Sequence, residues 1–201
     1  MVPSNVKRLL DVGCGDGSMS SWIKSKYGCE LVGITYSEAE AEKARSIMNS
    51  VVLADLDHLD SSNLGLFDCV LCCHVIEHIK EPEKLLVGLM SNLSPDGVMI
   101  IAVPNVLFWK QRLKFLLGEF RYTDGGIMDR THLRFFDWES AATMLQSAGF
   151  AVQSQYASGS VPGSRFLGSQ LERLVNDYLL RKLPGVFGWQ FIYRINKKSA
   201  A

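Results

Sequence analysis

The tightest constraint on this chain is the run LLDVGCGDGSMS at residues 9–20. There an apolar segment breaks into Gly13, Gly15 and Gly17 and then into helix-forming sequence. Residues 6–12 predict a buried strand and residues 18–27 a helix. A strand that passes into a helix through glycines lets a ligand approach the main chain, because no Cβ stands in the way. The helix start adds unpaired N–H groups and partial positive charge. A bare tight turn needs no more than such glycines, so the flanks must decide. Asp11 stands near the carboxyl end of the strand, where an acid can pair with a ligand ammonium. The dinucleotide fingerprint asks for glycine where Ser18 stands and for an acid where Thr35 stands. A nicotinamide-dependent oxidoreductase therefore lacks two of its parts.

The rest of the chain repeats the strand–helix theme. Residues 30–34, 51–54, 67–73 and 98–103 predict further strands, with a last pair at 150–156 and 189–195. Ser37 predicts an N-cap with Glu40 as its capping-box partner, and that helix extends to about Asn49. Pro82 opens a helix ending near Asn92, and Asp137 caps one ending at Gly149. Residues 94–97, SPDG, predict a turn. The expected fold is α/β: a Rossmann-like, doubly wound, mostly parallel seven-stranded sheet with helices on both faces. It forms one domain over residues 1–201, with lid-like insertions at about 106–136 and 157–188.

Lys and Arg number 21 against 21 Asp and Glu, for a net charge of +0, so the basic excess of a nucleic-acid binder is missing. Five cysteines, odd in number and mostly in strand-like sequence, read as reduced thiols in a cytoplasmic protein. The opening residues turn polar and Gly-rich too soon for a secretory leader. No apolar run reaches the ~18 residues of a membrane span.

DVGCGDG resembles the first glycine motif of the class I S-adenosylmethionine-dependent methyltransferases. VGITYSEAEAEKAR, VVLADLDHLD, FDCVLCCHVIEHIKEP and SPDGVMIIAVPN are similar, in order, to the elements that follow it in that family. The branch most resembled is the small-molecule one, which holds ubiquinone-type and methionine-biosynthesis-linked enzymes. GIMDRTHLRFF is similar to a segment of methyltransferases linked in part to bacterial glycan pathways. The resemblance implies S-adenosyl-L-methionine as cofactor. It sets the backbone from Gly13 through Cys14 and Gly15 to Gly17 against the methionine part, and Asp11 toward its amino group. Asp55 and the Leu56 amide would meet the adenine, and Cys73, His74 and Val75 would line the sulfonium side. Thr35 departs from the family pattern, where an acid grips both ribose hydroxyls; a threonine offers one hydroxyl, and Tyr36 is a candidate helper.

Other candidates carry a structural alternative beside the functional one. His74 and His78 share a face if helical, but Val75 follows the first histidine where a metalloprotease helix needs Glu, so no metal is expected. His74 is a candidate for the active site. Glu77 and His78 read as loop fixers. Cys69 and Cys72 form CxxC, yet residues three apart in a strand face opposite ways, which means core. In DRTHLRFF, His132 is a candidate general base, with Arg134 binding an anionic acceptor group or orienting a neighbour and Asp129 beside them. The alternative is a structural tie to the sheet edge. Residues 107–120 predict an amphipathic helix with Trp109, Leu113, Leu116, Leu117 and Phe120 on one stripe, read as packed over the pocket rather than on a membrane surface. Leu171, Leu174, Val175, Tyr178 and Leu179 form a second stripe, a lid or homodimer contact. The expected reaction is O- or N-methylation of a small-molecule acceptor, such as a sugar or glycan precursor. The alternative is a nonenzymatic S-adenosylmethionine-binding or scaffold protein, motivated by Thr35 and by the short stretch ahead of the first strand.

Overall fold

A computed structural model describes residues 1–197. The first half alternates strand and helix: β1 (Arg8–Val12), α1 (Ser18–Tyr27), β2 (Glu30–Thr35), α2 (Glu38–Ala44), β3 (Ser50–Leu53), β4 (Phe67–Cys73), α3 (Pro82–Met90) and β5 (Leu93–Pro104). Then come α4 (Trp109–Leu116), α5 (Trp138–Ser147), β6 (Phe150–Gly159), α6 (Ser169–Lys182), α7 (Pro184–Phe187) and β7 (Gly188–Lys197). The strands make one seven-stranded sheet in the order β3-β2-β1-β4-β5-β7-β6. The first five run parallel, and β7 lies antiparallel between β5 and β6.

Alternation along the strands divides the core in two. Leu10, Val12, Val70, Cys72, Met99 and Ile101 join Leu85, Leu86 and Leu89 of α3 and Leu145 of α5. Leu9, Cys69, Leu71, Val98 and Ile100 join Ile23 of α1 and Ala44 of α2. The period-two pattern thus buries both sheet faces, as parallel strands require. Each fully buried leucine contributes about 1.5–3 kcal/mol of transfer free energy. Cys69 and Cys72 fall in opposite clusters, as the strand reading expects.

The helix ends follow local chemistry. Gly28, at φ 64°, closes α1 with its N–H on the Lys24 carbonyl. Asp137 and Ser140 form a full capping box at α5. The box expected at α2 is only half made: Ser37 Oγ accepts from the Glu40 amide at 3.3 Å, but the Glu40 side chain turns elsewhere. The expected turn at Ser94–Gly97 is a bulge inside β5. Phe67 pairs with Leu93 and Cys69 with Val98, so the extra residues of β5 loop out.

The first insertion leaves and rejoins the sheet at neighbouring points, since Asn105 bridges to Phe136 and the Val106 amide donates to the Phe136 carbonyl. Its expected apolar stripe does not cover a pocket. Leu113, Leu116, Leu117 and Phe120 are exposed, and Gln111 is the buried residue of α4. An apolar stripe makes the helix but does not choose the side that packs. On α6, Leu171, Leu174 and Tyr178 are likewise exposed. No helix among the described residues is long and apolar enough to cross a membrane.

Candidate cofactor and acceptor site

The strand order reverses between β1 and β4, and the crevice beyond their carboxyl ends is where open α/β sheets hold ligands. A hollow of about 450 Å³ opens there, lined by Gly13, Gly15, Thr35, Tyr36, Glu40, Asp55, Leu56, Asp57, His74, Val75, His78, Ile79 and Thr131. That volume falls within the ~300–1,000 Å³ of small-molecule sites. The loop after β1 is tied to β2, because the Gly13 and Cys14 amides both donate to the Ile34 carbonyl at 2.9 Å. Gly13 has φ 72°, and a Cβ there would lie 2.6 Å from Val75 Cγ2. At Gly15, φ 55°, a Cβ would meet nothing within 4 Å, so open space stands above the loop.

Thr35 ends β2 at the hollow and donates from Oγ1 to Glu40 Oε2 at 2.8 Å. The carboxylate of Glu40, the third residue of α2, thus stands at the hollow beside a strand end that carries no acid. Glu40 was legible only as a cap partner; the available signal was an acid five residues past a strand end that lacks one. Tyr36 is exposed at the rim. On the far side Asp55 caps a short 3₁₀ turn, Leu56–His58, accepting from the Asp57 amide at 3.0 Å and lying 2.9 Å from His58 Nδ1. The His58 hydrogen bond, aided by the Asp57 amide, holds the Asp55 carboxyl below its ordinary pKa, so it stays ionised.

Four expected contact residues lie behind the lining. Asp11 is 1% exposed and accepts a hydrogen bond from Ser20 Oγ, which ties β1 to α1. Its Oδ1 has no partner among the described residues, and burial lifts its pKa to about 6. Cys14 Sγ points under β2, where a Cβ on Gly33 would come within 2.7 Å of it. Gly17 packs on Ala44 as the N-cap of α1. Cys73 faces the second core cluster, as strand alternation dictates, leaving His74 and Val75 to the hollow. Burial pushes the Cys14 and Cys73 thiols up to about 12, so neither is a nucleophile.

A second cavity of about 290 Å³ shares His74 and His78 with the first and adds Glu77, Pro104, Gly126, Asp129, His132 and Trp189. His74 follows β4 with φ 57°, a left-handed conformation that costs a non-glycine residue energy. Three contacts hold it there: a stack on Trp189 at 5.5 Å, Nε2 on Gln190 Oε1 at 2.8 Å, and Nδ1 at 3.4 Å from Glu77 Oε1. Burial works to lower its pKa, but the Glu77 carboxylate and Gln190 outweigh it and raise the pKa above the ordinary imidazole value. His132 goes the other way: burial dominates and lowers its pKa. Its Nδ1 lies 3.1 Å from the Ile127 carbonyl. Arg134 lines neither cavity; it donates to the Lys80 carbonyl and pairs at 4.0 Å with Glu83, which is the structural-tie reading. Residue spacing showed neither Trp189 nor Thr131 at the site; both arrive from the far end of the fold or the insertion.

Residues 2–155 match the model of a family described as a methyltransferase domain. The chain belongs to that family. This methyltransferase domain is 34% identical over 103 residues to the chloroplastic tocopherol O-methyltransferase of Arabidopsis thaliana, covering 48% of this chain and 30% of that one. It is 25% identical over 152 residues to the ubiquinone biosynthesis O-methyltransferase of Rickettsia canadensis, covering 72% and 63%. It thus spans less than two thirds of the length of either relative. A crystal structure of a SAM-dependent methyltransferase from Archaeoglobus fulgidus superposes with TM-score 0.66 at 21% identity, covering 97% of this chain and 87% of that one. At that identity the likeness speaks to the fold alone.

Proposed function

We propose that this methyltransferase domain binds S-adenosyl-L-methionine in the larger hollow and directs methyl transfer to an oxygen or nitrogen of a small molecule held in the smaller one. The observation that carries the reading is the junction of the two cavities at His74 and His78, beside the glycine turn of a family member. Bound there, the cofactor supplies a sulfonium whose methyl carbon is electrophilic. Gly13 and Gly15 give the methionine part room against the main chain. Glu40, oriented by Thr35, accepts from the ribose hydroxyls, and Tyr36 covers them. Asp55, Leu56 and Asp57 border the adenine. His74 and Val75 flank the sulfonium.

The acceptor reading follows from the second lining. Trp189 offers an apolar face, while Asp129 and the imidazoles offer polar partners. That mixture suits a sugar ring, and we retain a sugar or glycan precursor as the acceptor class. His132 is the better proton acceptor: its lowered pKa keeps it neutral near pH 7, whereas the raised pKa of His74 favours the charged form. The protein's main contribution is alignment of nucleophile, methyl and sulfur, worth up to ~7–11 kcal/mol in model systems. Thr35 is one of the motives for the scaffold alternative, and the Glu40 carboxylate beside it weakens that motive.

Calorimetry with S-adenosylmethionine and S-adenosylhomocysteine tests the first half, with micromolar binding of both expected. Heat from neither would end the reading. Formation of S-adenosylhomocysteine across a panel of hydroxylated and amine acceptors tests the second half.

A further inference from the structure

Glu77 is wholly buried, yet neither of its carboxylate oxygens has a hydrogen-bond partner among the described residues. A buried carboxylate in that condition costs several kcal/mol unless a cation meets it. His74 Nδ1, at 3.4 Å, answers one oxygen, Oε1, and leaves Oε2 without a partner among the described residues. Two more imidazoles close on the same point. One ligating atom each from Glu77, His78 and His132 lies within 4.8 Å of the others, and the two rings meet edge to face at 4.7 Å between centroids.

The hydrogen bonds around these rings decide what they present. His132 Nδ1 faces the Ile127 carbonyl at 3.1 Å. A carbonyl can only accept, so Nδ1 carries the hydrogen and Nε2 keeps its lone pair. His78 Nδ1 is 3.0 Å from Thr131 Oγ1 and 3.3 Å from the Thr131 carbonyl. That hydroxyl already donates to Asp129 Oδ1 at 2.6 Å, so it too accepts from His78. Both imidazoles are thereby set in one tautomer by an outer shell of oxygens, the arrangement found behind metal-bound histidines. Both imidazoles, each with its lone pair on Nε2, and the Glu77 carboxylate, which meets His74 Nδ1 at 3.4 Å, line one cavity.

We propose that Glu77, His78 and His132 form a site for one divalent transition cation, of the zinc or manganese kind. Two imidazoles and one carboxylate suit such ions and leave coordination positions open toward the cavity. Metal–ligand bonds of about 2.0–2.2 Å place tetrahedral ligand atoms roughly 3.5 Å apart, so the half-buried imidazoles draw inward on loading. This reverses the expectation of no metal, which rested on the spacing of His74 and His78. The third ligand, His132, comes from the insertion, whose Leu133 amide is pinned to the Glu77 carbonyl at 2.8 Å. With the cation bound, His132 is a ligand rather than a base, and an acceptor oxygen in the cavity would meet the ion directly.

The test needs no turnover and is separate from the methyl-transfer reading. Chelator-stripped protein is titrated with Mn²⁺ by electron paramagnetic resonance, and with Co²⁺ by its visible absorption. One ion per chain is expected, with Co²⁺ bands showing nitrogen ligation. Glu77→Gln and His78→Ala should each weaken binding at least about tenfold. Retained S-adenosylhomocysteine binding by Glu77→Gln shows that the fold survives. No bound ion in the stripped wild type, or equal affinity in Glu77→Gln, overturns the site.

Discussion

Thr35 Oγ1 donates to Glu40 Oε2 across 2.8 Å at the edge of the larger hollow, so a helix-borne carboxylate stands beside a strand end that carries none. The contact explains why the capping box at Ser37 is half made. The Ser37 amide turns to Thr35 Oγ1 at 3.3 Å instead, freeing the Glu40 carboxylate for the hollow.

Glu40→Ala should weaken S-adenosylhomocysteine binding about tenfold or more, the scale of ~1.5–3 kcal/mol for a hydrogen bond to a charged group. Calorimetry reads the affinity, and circular dichroism checks the helix. Unchanged affinity would place Glu40 outside the ligand's reach.

Asp11 sets a pH dependence of stability. Its folded pKa, raised from 3.8 to about 6 by burial, lies above the unfolded value. The native state thus holds the proton longer, and this contribution is full below about pH 4 and lost as pH rises through 6. The shift of about two units corresponds to roughly 3 kcal/mol. Other carboxyls, such as Asp68 and Asp137, have lowered values and act in the opposite sense. The comparison with Asp11→Asn isolates the effect: urea unfolding should find the variant gaining on the wild type between pH 4 and 7. A constant difference would mean that Asp11 does not titrate there.

His132→Ala, in protein freed of metal by chelation, should cut the transfer rate by about 10²–10⁴, the range of general-base contributions. S-adenosylhomocysteine affinity should stay near the wild type. Because burial lowers the His132 pKa, the wild-type rate should level off below the ordinary imidazole range. A plateau reached only above it would assign the proton to another group.

Gly13→Ala should cost about 1–3 kcal/mol through overpacking against Val75, besides the strain of its left-handed backbone. Cofactor binding should fall with it. Thermal melting with and without S-adenosylhomocysteine measures both, and an unshifted melt would show that Val75 yields without loss.

Most of the scaffold was legible residue by residue. Residues 18–27 and 67–73 form α1 and β4 as expected, because helix and strand periods and the glycine stop at Gly28 are local signals. Strand ends also marked Thr35 and Asp55, since a parallel sheet brings its carboxyl ends to one edge, and the family resemblance marked His74. Side-chain direction at those ends was harder. Cys73 and His74 are neighbours, yet strand alternation sends one into the core and a single left-handed residue turns the other into the cavities.

By itself the amino-acid order determined the α/β alternation, the caps and the glycine turn, all of which depend on neighbours a few residues apart. Only the tertiary structure decided that Glu40 stands beside Thr35, that α4 shows its apolar stripe outward, and that His132 meets Glu77 across 55 positions of chain. Those outcomes depend on sheet order and on where the insertion docks. Both are set by packing between elements, which no local periodicity encodes.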